Sequence, residues 1–151
     1  MTCTTALITA FGAALAAGDT DRVGSLLGED VAYQVPGRSS AAGVHLGRDE
    51  VVARLTAPAG AATQVDDVEV TESMVDGQRG MVIVLMRGAT SGSLFAVETA
   101  LHLQTDGELI IGISEYSGDQ HLMDSLLSDA TDGACQAKAV RRSARWWRRT
   151  P

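Results

Sequence analysis

Four strand-like segments follow one another in the second half of the chain, and a turn-forming sequence separates each from the next. They span residues 65–75, 81–87, 94–104 and 108–116. The connections contain Asp76-Gly77, the glycine-bounded stretch 88–92 and Asp106-Gly107, which favour hairpins because glycine reaches the backbone conformations of tight turns. Consecutive hairpins join antiparallel strands, so the pattern predicts a curved antiparallel sheet.

Helix-like segments come before these strands. Leu7, Phe11 and Leu15 recur every four residues, as on the buried face of a helix. Gly18 favours a helix stop, and a second short helix is predicted to follow it and to run to about Gly28. Helices placed before a meander of strands are typical of an α+β domain.

One more strand and one more helix lie between these two regions. Val31, Tyr33 and Val35 alternate onto one face of a predicted strand, and the Pro-Gly pair that follows ends it. We expect residues 38–46, which are rich in Ser, Ala and Gly, to form a loop. A third helix is predicted from residue 47, since acidic side chains in its first turn face the positive end of the helix dipole.

The chain suits a single globular domain. It has 151 residues, of which 45% are hydrophobic, and it contains no apolar run long enough to span a bilayer. Residues 129–151 carry six basic and two acidic side chains, whereas the preceding part carries six basic and 17 acidic ones. We predict a domain over residues 1–128 and a basic, disordered tail over 129–151. The acidic domain disfavours nucleic acid as a partner, and no membrane partner is expected.

Cysteine usage and known motifs exclude several protein classes. Cys3 and Cys135 lie near opposite ends of the chain and indicate neither a disulfide framework nor a metal cluster, so a reducing cytoplasm is the simplest compartment. The apolar stretch 6–17 lacks the preceding basic residues of a secretory signal. Metal-ligand spacing, a phosphate-binding glycine loop and a nucleophile elbow are all missing from the sequence, so no metal and no cofactor is predicted.

Glu115 is the leading candidate for a functional side chain. Strand alternation puts it on the same face as Leu109, Ile111 and Ile113, where a charge is costly unless it lines a cavity or has a partner. Burial should raise the pKa of Glu115, as general acid-base catalysis requires. A strand-end carboxylate that reaches water or pairs with Arg87 explains the same position equally well.

The register of the last hairpin determines which side chains surround this acid. A turn centred on Asp106 sets Val97 opposite Glu115, with Thr99 and Leu101 on the same face of the sheet. That face is then apolar apart from Thr99 and Glu115. Such a face predicts a pocket that binds an apolar small molecule.

Tyr33 and His45 are weaker candidates. The phenol of Tyr33 lies on the apolar face of its strand and can donate to a carbonyl or an oxyanion, although a core tyrosine with a satisfied hydroxyl is the commoner arrangement. His45 lies in a glycine-flanked loop that can cover a pocket mouth. A solvent-facing histidine is the favoured interpretation of that position.

Several segments together resemble a known family. They are Asp30-Val-Ala-Tyr-Gln-Val-Pro-Gly37, Ala42-Gly43, Gly47-Arg-Asp-Glu-Val51, Asp106-Gly107 and Glu115-Tyr-Ser-Gly-Asp-Gln120. Over roughly residues 5–128 the chain is similar to the SnoaL-like group of the nuclear transport factor and ketosteroid isomerase superfamily. This resemblance implies a cone-shaped half-barrel covered by N-terminal helices, and a homodimer formed through the open sheet face that carries Glu98 and His102.

The resemblance also implies possible activities, because the superfamily includes cyclases, isomerases, dehydratases, epoxide hydrolases and non-catalytic binding domains. Tyr33 and Glu115 fall where relatives of limonene epoxide hydrolase keep a water-binding Tyr and Asp. The Asn of those relatives is replaced by Val35, and their Arg and second Asp fall near Val82 and Val84. These substitutions disfavour epoxide hydrolysis of that type.

Ketosteroid isomerases keep two aspartates that this chain lacks. Their catalytic Asp corresponds to Val35, and their proton-donating Asp falls near Thr99. The resemblance therefore implies an apolar, cone-shaped pocket whose polar side chains are Tyr33, Thr99 and Glu115.

We predict a small cofactor-independent enzyme, similar to SnoaL-type polyketide cyclases or isomerases, that acts on an apolar oxygenated molecule. Glu115 would take or give a proton next to a carbonyl, and Tyr33 would stabilise the enolate oxygen. The predicted substrate-binding residues are Thr99, Val35, Val97, Ile113, Leu101, Phe11 and His45. The alternative is a domain of the same fold that binds a ligand without turnover.

Overall fold

The helices and strands that the sequence patterns predict all occur, in the predicted order. A computed structural model describes residues 3–57, 63–90 and 92–127 of the protein, and the predicted tail 129–151 lies outside them. In chain order the elements of this part are α1 (Thr4–Ala17), α2 (Thr20–Ser25), β1 (Leu27–Val35), β2 (Gly43–Leu46), α3 (Arg48–Thr56), β3 (Thr63–Asp76), β4 (Arg79–Thr90), β5 (Ser93–Thr105), β6 (Ile110–Ser117) and α4 (Gln120–Leu127). None of the described helices is long and apolar enough to cross a membrane.

The strands form one mixed sheet in the order β2-β1-β6-β5-β4-β3. The four strands β3 to β6 pair antiparallel, as predicted. β1, whose pairing the sequence did not predict, pairs with β6 in parallel, so the whole sheet is mixed. The reason is that α3 and the whole meander connect the two strands, and a connection of that length allows them to run in the same direction. The sheet is curved and unclosed. Together with the helices, it confirms the predicted α+β class.

Helix α1 buries the face that its periodicity predicts. Leu7, Phe11 and Leu15 are all buried, and the helix ends at Gly18, whose φ of 65° is the left-handed conformation that glycine adopts readily. The helix packs against β3 and β4. It approaches β4 closely at Gly80, where a Cβ would lie 2.8 Å from the side chain of Ile8. A side chain at that position would require the side chain of Ile8 to shift.

Two boundaries differ from the prediction in the first half of the chain. The second helix ends at Ser25 and not near Gly28, because β1 already begins at Leu27. The segment 38–46, predicted as a loop, contains the short strand β2, which pairs antiparallel with β1. This edge strand has only four residues, three of them exposed, which is too few to show the alternation by which a strand is recognised in a sequence.

The register of the β5–β6 hairpin also differs from the prediction. Glu115 lies opposite Leu101 and not opposite Val97. The turn is longer than expected, because the carboxylate of Asp106 accepts hydrogen bonds from the backbone amides of Glu108 and Leu109 and holds those residues outside the ladder. The pairing moves by an even number of residues, so Glu115 keeps its predicted face.

A bulge in β6 changes the face of one predicted core residue. Gln104 pairs with Gly112 and Thr105 pairs with Ile110, so Ile111 is an extra residue on its strand. Ile111 is 44% exposed, which contradicts its predicted place on the apolar face, and Ile110 is fully buried in its stead. A bulge reverses the alternation locally, and strict periodicity cannot reveal it.

The outer face of the sheet remains a candidate contact surface. Glu98 is exposed and His102 is partly buried on β5, and Tyr116, on the neighbouring strand, pairs with Ala100 and is 60% exposed. An exposed aromatic side chain between polar neighbours is compatible with a subunit interface. The homodimer stays a prediction.

Candidate functional site

Tyr33 and Glu115 are direct hydrogen-bond partners in the core of the protein. Tyr33 is 5% exposed and Glu115 is 7% exposed, and the hydroxyl of Tyr33 donates to the Oε2 atom of Glu115. The parallel pairing of β1 with β6 sets Tyr33 beside Ile113, so Glu115 is its diagonal neighbour on the same face. The alternative partner considered for this acid, Arg87, instead contacts Asp67 and Glu69.

Burial shifts the titration of both partners. Desolvation raises the pKa of Glu115, and the hydrogen bond from Tyr33 opposes that rise because it stabilises the carboxylate. The pKa of Tyr33 lies well above its ordinary value of 10, first because the phenol is buried and second because the carboxylate of Glu115 disfavours a neighbouring phenolate. At neutral pH, Tyr33 is therefore a hydrogen-bond donor, and Glu115 is a carboxyl group with a raised pKa.

Replacing Tyr33 by phenylalanine should raise the pKa of Glu115 further. The variant removes the hydroxyl that stabilises the carboxylate and keeps the apolar surroundings that penalise the charge. A carboxyl-carbon NMR titration of wild type and Tyr33→Phe measures the shift directly. Tyr116→Phe is the matched control, because Tyr116 is exposed on the same strand as the acid. An unchanged or lowered Glu115 pKa in Tyr33→Phe would contradict the assigned hydrogen bond.

A cavity of about 340 Å³ opens beside this pair. Among the predicted residues, the wall includes Tyr33, Glu115, Thr99, Val35 and Leu101. The wall is otherwise mainly apolar and is completed by side chains of α1, α3, β3, β4 and α4. A volume of this size lies within the range of about 300–1,000 Å³ found for small-molecule sites. The arrangement can hold an apolar ligand and present a carboxyl group and a phenol to one of its atoms.

Four of the predicted binding residues do not line this cavity. Phe11 and Ile113 are buried in the main core, and Val97 belongs to a second core cluster beneath α4. Val97 lies outside the cavity wall because of the hairpin register. Leu101, and not Val97 as predicted, lies opposite Glu115. Phe11 lies on the face of α1 that packs against the sheet, so it belongs to the core and not to the cavity surface.

His45 is the fourth predicted binding residue outside the cavity wall. The sequence favoured a solvent-facing side chain at this position, but the side chain is largely buried. Its side chain is 12% exposed, with Nδ1 at 3.1 Å from the Oε1 atom of Glu50 and Nε2 at 2.7 Å from the carbonyl oxygen of Ala41. Its ring centroid lies 6.3 Å from that of Tyr33. The residue therefore packs behind the phenol, because β2 brings it next to β1.

Several wall residues were not identified from the sequence. They are Leu15, Arg54, Leu55, Val65, Asp66, Asp67, Val68, Val84, Met86, Met123 and Leu127, with small residues from the ends of α1 and α3. Alternation along β4 could have indicated Val84, which pairs with Thr99. No local signal marks Arg54, whose place in the wall depends on how α3 crosses the sheet.

The described residues offer no ready metal site. Within residues 3–57, 63–90 and 92–127, no group of three or more His, Cys, Asp or Glu side chains is arranged to hold an ion.

The sequence is similar to a known protein family. A model of the SnoaL-like domain matches residues 8–113. No curated protein sequence matches the chain significantly.

Solved structures support the same fold. A protein of unknown function with a cystatin-like fold from Xanthomonas campestris has a TM-score of 0.70 at 20% identity, covering 83% of this chain and 98% of its own. A hypothetical protein with a ketosteroid isomerase-like fold from Catenulispora acidiphila, in complex with trimethylamine, has a TM-score of 0.58 at 25% identity, covering 78% and 90%. A candidate SnoaL-like polyketide cyclase from Mesorhizobium loti has a TM-score of 0.63 at 14% identity, covering 74% and 97%.

Proposed function

This chain belongs to the SnoaL-like family, and from that premise we propose that it is a cofactor-independent enzyme that moves a proton next to a carbonyl group of an apolar small molecule. One observation carries the proposal: the buried hydrogen bond between Tyr33 and Glu115 lies in the wall of an apolar cavity. A buried acid with a raised pKa is poorly suited to stabilising a fold and well suited to exchanging a proton.

In the proposed reaction, the carboxylate of Glu115 takes a proton from the carbon next to the substrate carbonyl. The electron pair of the broken C–H bond moves into the carbonyl group and forms an enolate. The new carboxylic acid then donates a hydrogen bond to the oxygen of Tyr33, whose own hydroxyl hydrogen turns to the enolate oxygen. Return of the proton from Glu115 to a different carbon of a conjugated enolate completes an isomerisation. In a ring closure the enolate carbon instead attacks a second carbonyl carbon of the substrate, and the proton of Glu115 passes to the alkoxide oxygen that forms.

The properties of Tyr33 support this division of roles. Its raised pKa keeps the phenol protonated, so it acts as a hydrogen-bond donor and Glu115 acts as the base. Thr99, on the same wall, supplies a second hydroxyl that can orient the substrate oxygen. Polyketide cyclisation would be one use of such an enolate.

Hydrogen exchange of a simple ketone tests the proposal. α-Tetralone, an apolar bicyclic ketone, should exchange its α-hydrogens for deuterium in D₂O faster with the protein than in buffer alone. The rate should rise with pH through the titration of one carboxyl group whose pKa lies above 4.5, because only the carboxylate is a base. NMR follows the exchange, and ligand-observed NMR reports binding in the same sample.

The second candidate is a binding domain without turnover. It is favoured by Val35, an apolar residue in the cavity wall at the position where ketosteroid isomerases keep their catalytic acid. Saturable binding of α-tetralone with an exchange rate no faster than buffer, repeated for a panel of apolar ketones, would support this candidate and reject the proposed enzyme.

A further inference from the structure

Arg54 is the one basic side chain among the described residues that line the cavity. It projects from α3, and its side chain is 40% exposed. Its positive charge is close enough to the Tyr33 hydroxyl to lower the pKa of that phenol, against the larger effects that raise it. The guanidinium group therefore lines the same cavity as Tyr33 and Glu115 and is also accessible to solvent.

The contacts of Arg54 leave most of its donors available. Its Nε atom lies 3.6 Å from the Oε1 atom of Glu50, which is 50% exposed, and the same oxygen faces His45 Nδ1 at 3.1 Å. Such an exposed pair between successive helix turns is weak, because water screens both charges. Within the part of the chain that the structure describes, Arg54 has no other ion pair or side-chain hydrogen bond. A guanidinium has five N–H donors, so most of them can bind a ligand.

Each acidic side chain of the cavity wall accepts a short hydrogen bond. Asp67 accepts from Arg87 Nη1 at 2.5 Å, and Asp66 accepts from the amide of Gln64 at 2.7 Å. Glu115 accepts from Tyr33. Among the charged groups of the cavity wall, the guanidinium thus has the longest contact, at 3.6 Å.

We propose that Arg54 binds a carboxylate substituent of the ligand, so that the substrate class is an apolar keto acid. The planar guanidinium matches a carboxylate in a two-pronged hydrogen bond. The apolar frame of the ligand would lie along Val68, Val84 and Met86, and its carbonyl would reach Tyr33. The position of the carbonyl rests on the proposed function, whereas the binding of the carboxylate does not require turnover.

A matched set of probes tests this assignment. The set consists of α-tetralone carrying a carboxylate, the corresponding carboxamide and the corresponding aminomethyl compound, each titrated into the protein by calorimetry. The wild type should bind the carboxylate about tenfold more tightly than the carboxamide, which corresponds to roughly 1.4 kcal/mol for a charge-assisted pair.

Four variants assign the preference to Arg54. Arg54→Gln should abolish the preference for the carboxylate, and Arg54→Lys should keep part of it because the charge remains. Arg22→Gln, at an exposed position of α2 outside the cavity wall, should behave as wild type. Glu50→Gln should increase the preference, because it removes the anion that competes for Arg54.

The outcomes separate this inference from the proposed function. Equal affinity for the carboxylate and the carboxamide in the wild type, tighter binding of the amine, or an undiminished preference in Arg54→Gln would overturn the inference. If the preference disappears in Arg54→Gln while no ketone undergoes exchange, the inference stands and the proposed function fails. If α-tetralone exchanges without any carboxylate preference, the function stands and the inference fails.

Discussion

Replacing Glu115 by glutamine should lower the protein-catalysed exchange of α-tetralone by at least about 100-fold. The amide oxygen can still accept the hydrogen bond from Tyr33, and the side chain keeps its volume, so the cavity keeps its shape. The amide cannot take a proton from carbon, and that is the step assigned to Glu115. NMR measurement of initial exchange rates at several pH values tests this, and the remaining rate should lose its carboxyl titration.

Glu72→Gln is the matched control for this substitution. Glu72 is exposed on β3, and the change removes the same charge at a position outside the cavity wall. It should leave the exchange rate within a factor of about two, as expected for a surface substitution. A loss below tenfold in Glu115→Gln, or equal losses in both variants, would show that Glu115 is not the base.

The same variant has a stability signature that does not depend on catalysis. Because the pKa of Glu115 is raised in the folded protein, the folded state holds its proton more tightly than the unfolded state does. The free energy of unfolding of the wild type should therefore fall, relative to Glu115→Gln, as pH rises from 4.5 through the pKa of the folded protein. Below pH 4.5, where the carboxyl is neutral in both states, the difference should level off.

Replacing Phe11 by alanine should reduce the free energy of unfolding by about 3–5 kcal/mol. Phe11 is fully buried on α1, in the main core beneath the curved sheet. Truncation removes most of a large apolar side chain and leaves a void, because neighbours in a packed core relax only partly. The loss is a large part of the roughly 5–15 kcal/mol that stabilises an ordinary domain.

Urea unfolding followed by circular dichroism measures this loss. Thr9→Ala is the control, since Thr9 is exposed on the same helix and its truncation should change the free energy of unfolding by less than about 0.5 kcal/mol. A loss under about 1 kcal/mol in Phe11→Ala would mean that α1 does not pack on the sheet as described.

Much of the fold is predictable because its signals are local. The four-residue period of α1, the helix stop at Gly18 and the antiparallel order of the meander strands each depend on neighbouring residues, and the structure confirms them. The missed features depend on distant partners. The strand β2 exists because β1 offers it an edge, and the bulge at Ile111 is recognisable only from its pairing with β5.

The candidate site likewise combines features that are predictable from the sequence with features that depend on distant partners. The sequence by itself determined that an acid at position 115 shares a face with apolar residues, because alternation along one strand needs no knowledge of the rest of the chain. Only the tertiary structure decided that Tyr33, 82 residues away, is its partner, and that Arg54 lies in the same cavity wall. Desolvation, hydrogen bonds and charge interactions depend on distances through space, and the parallel pairing of β1 with β6 sets those distances.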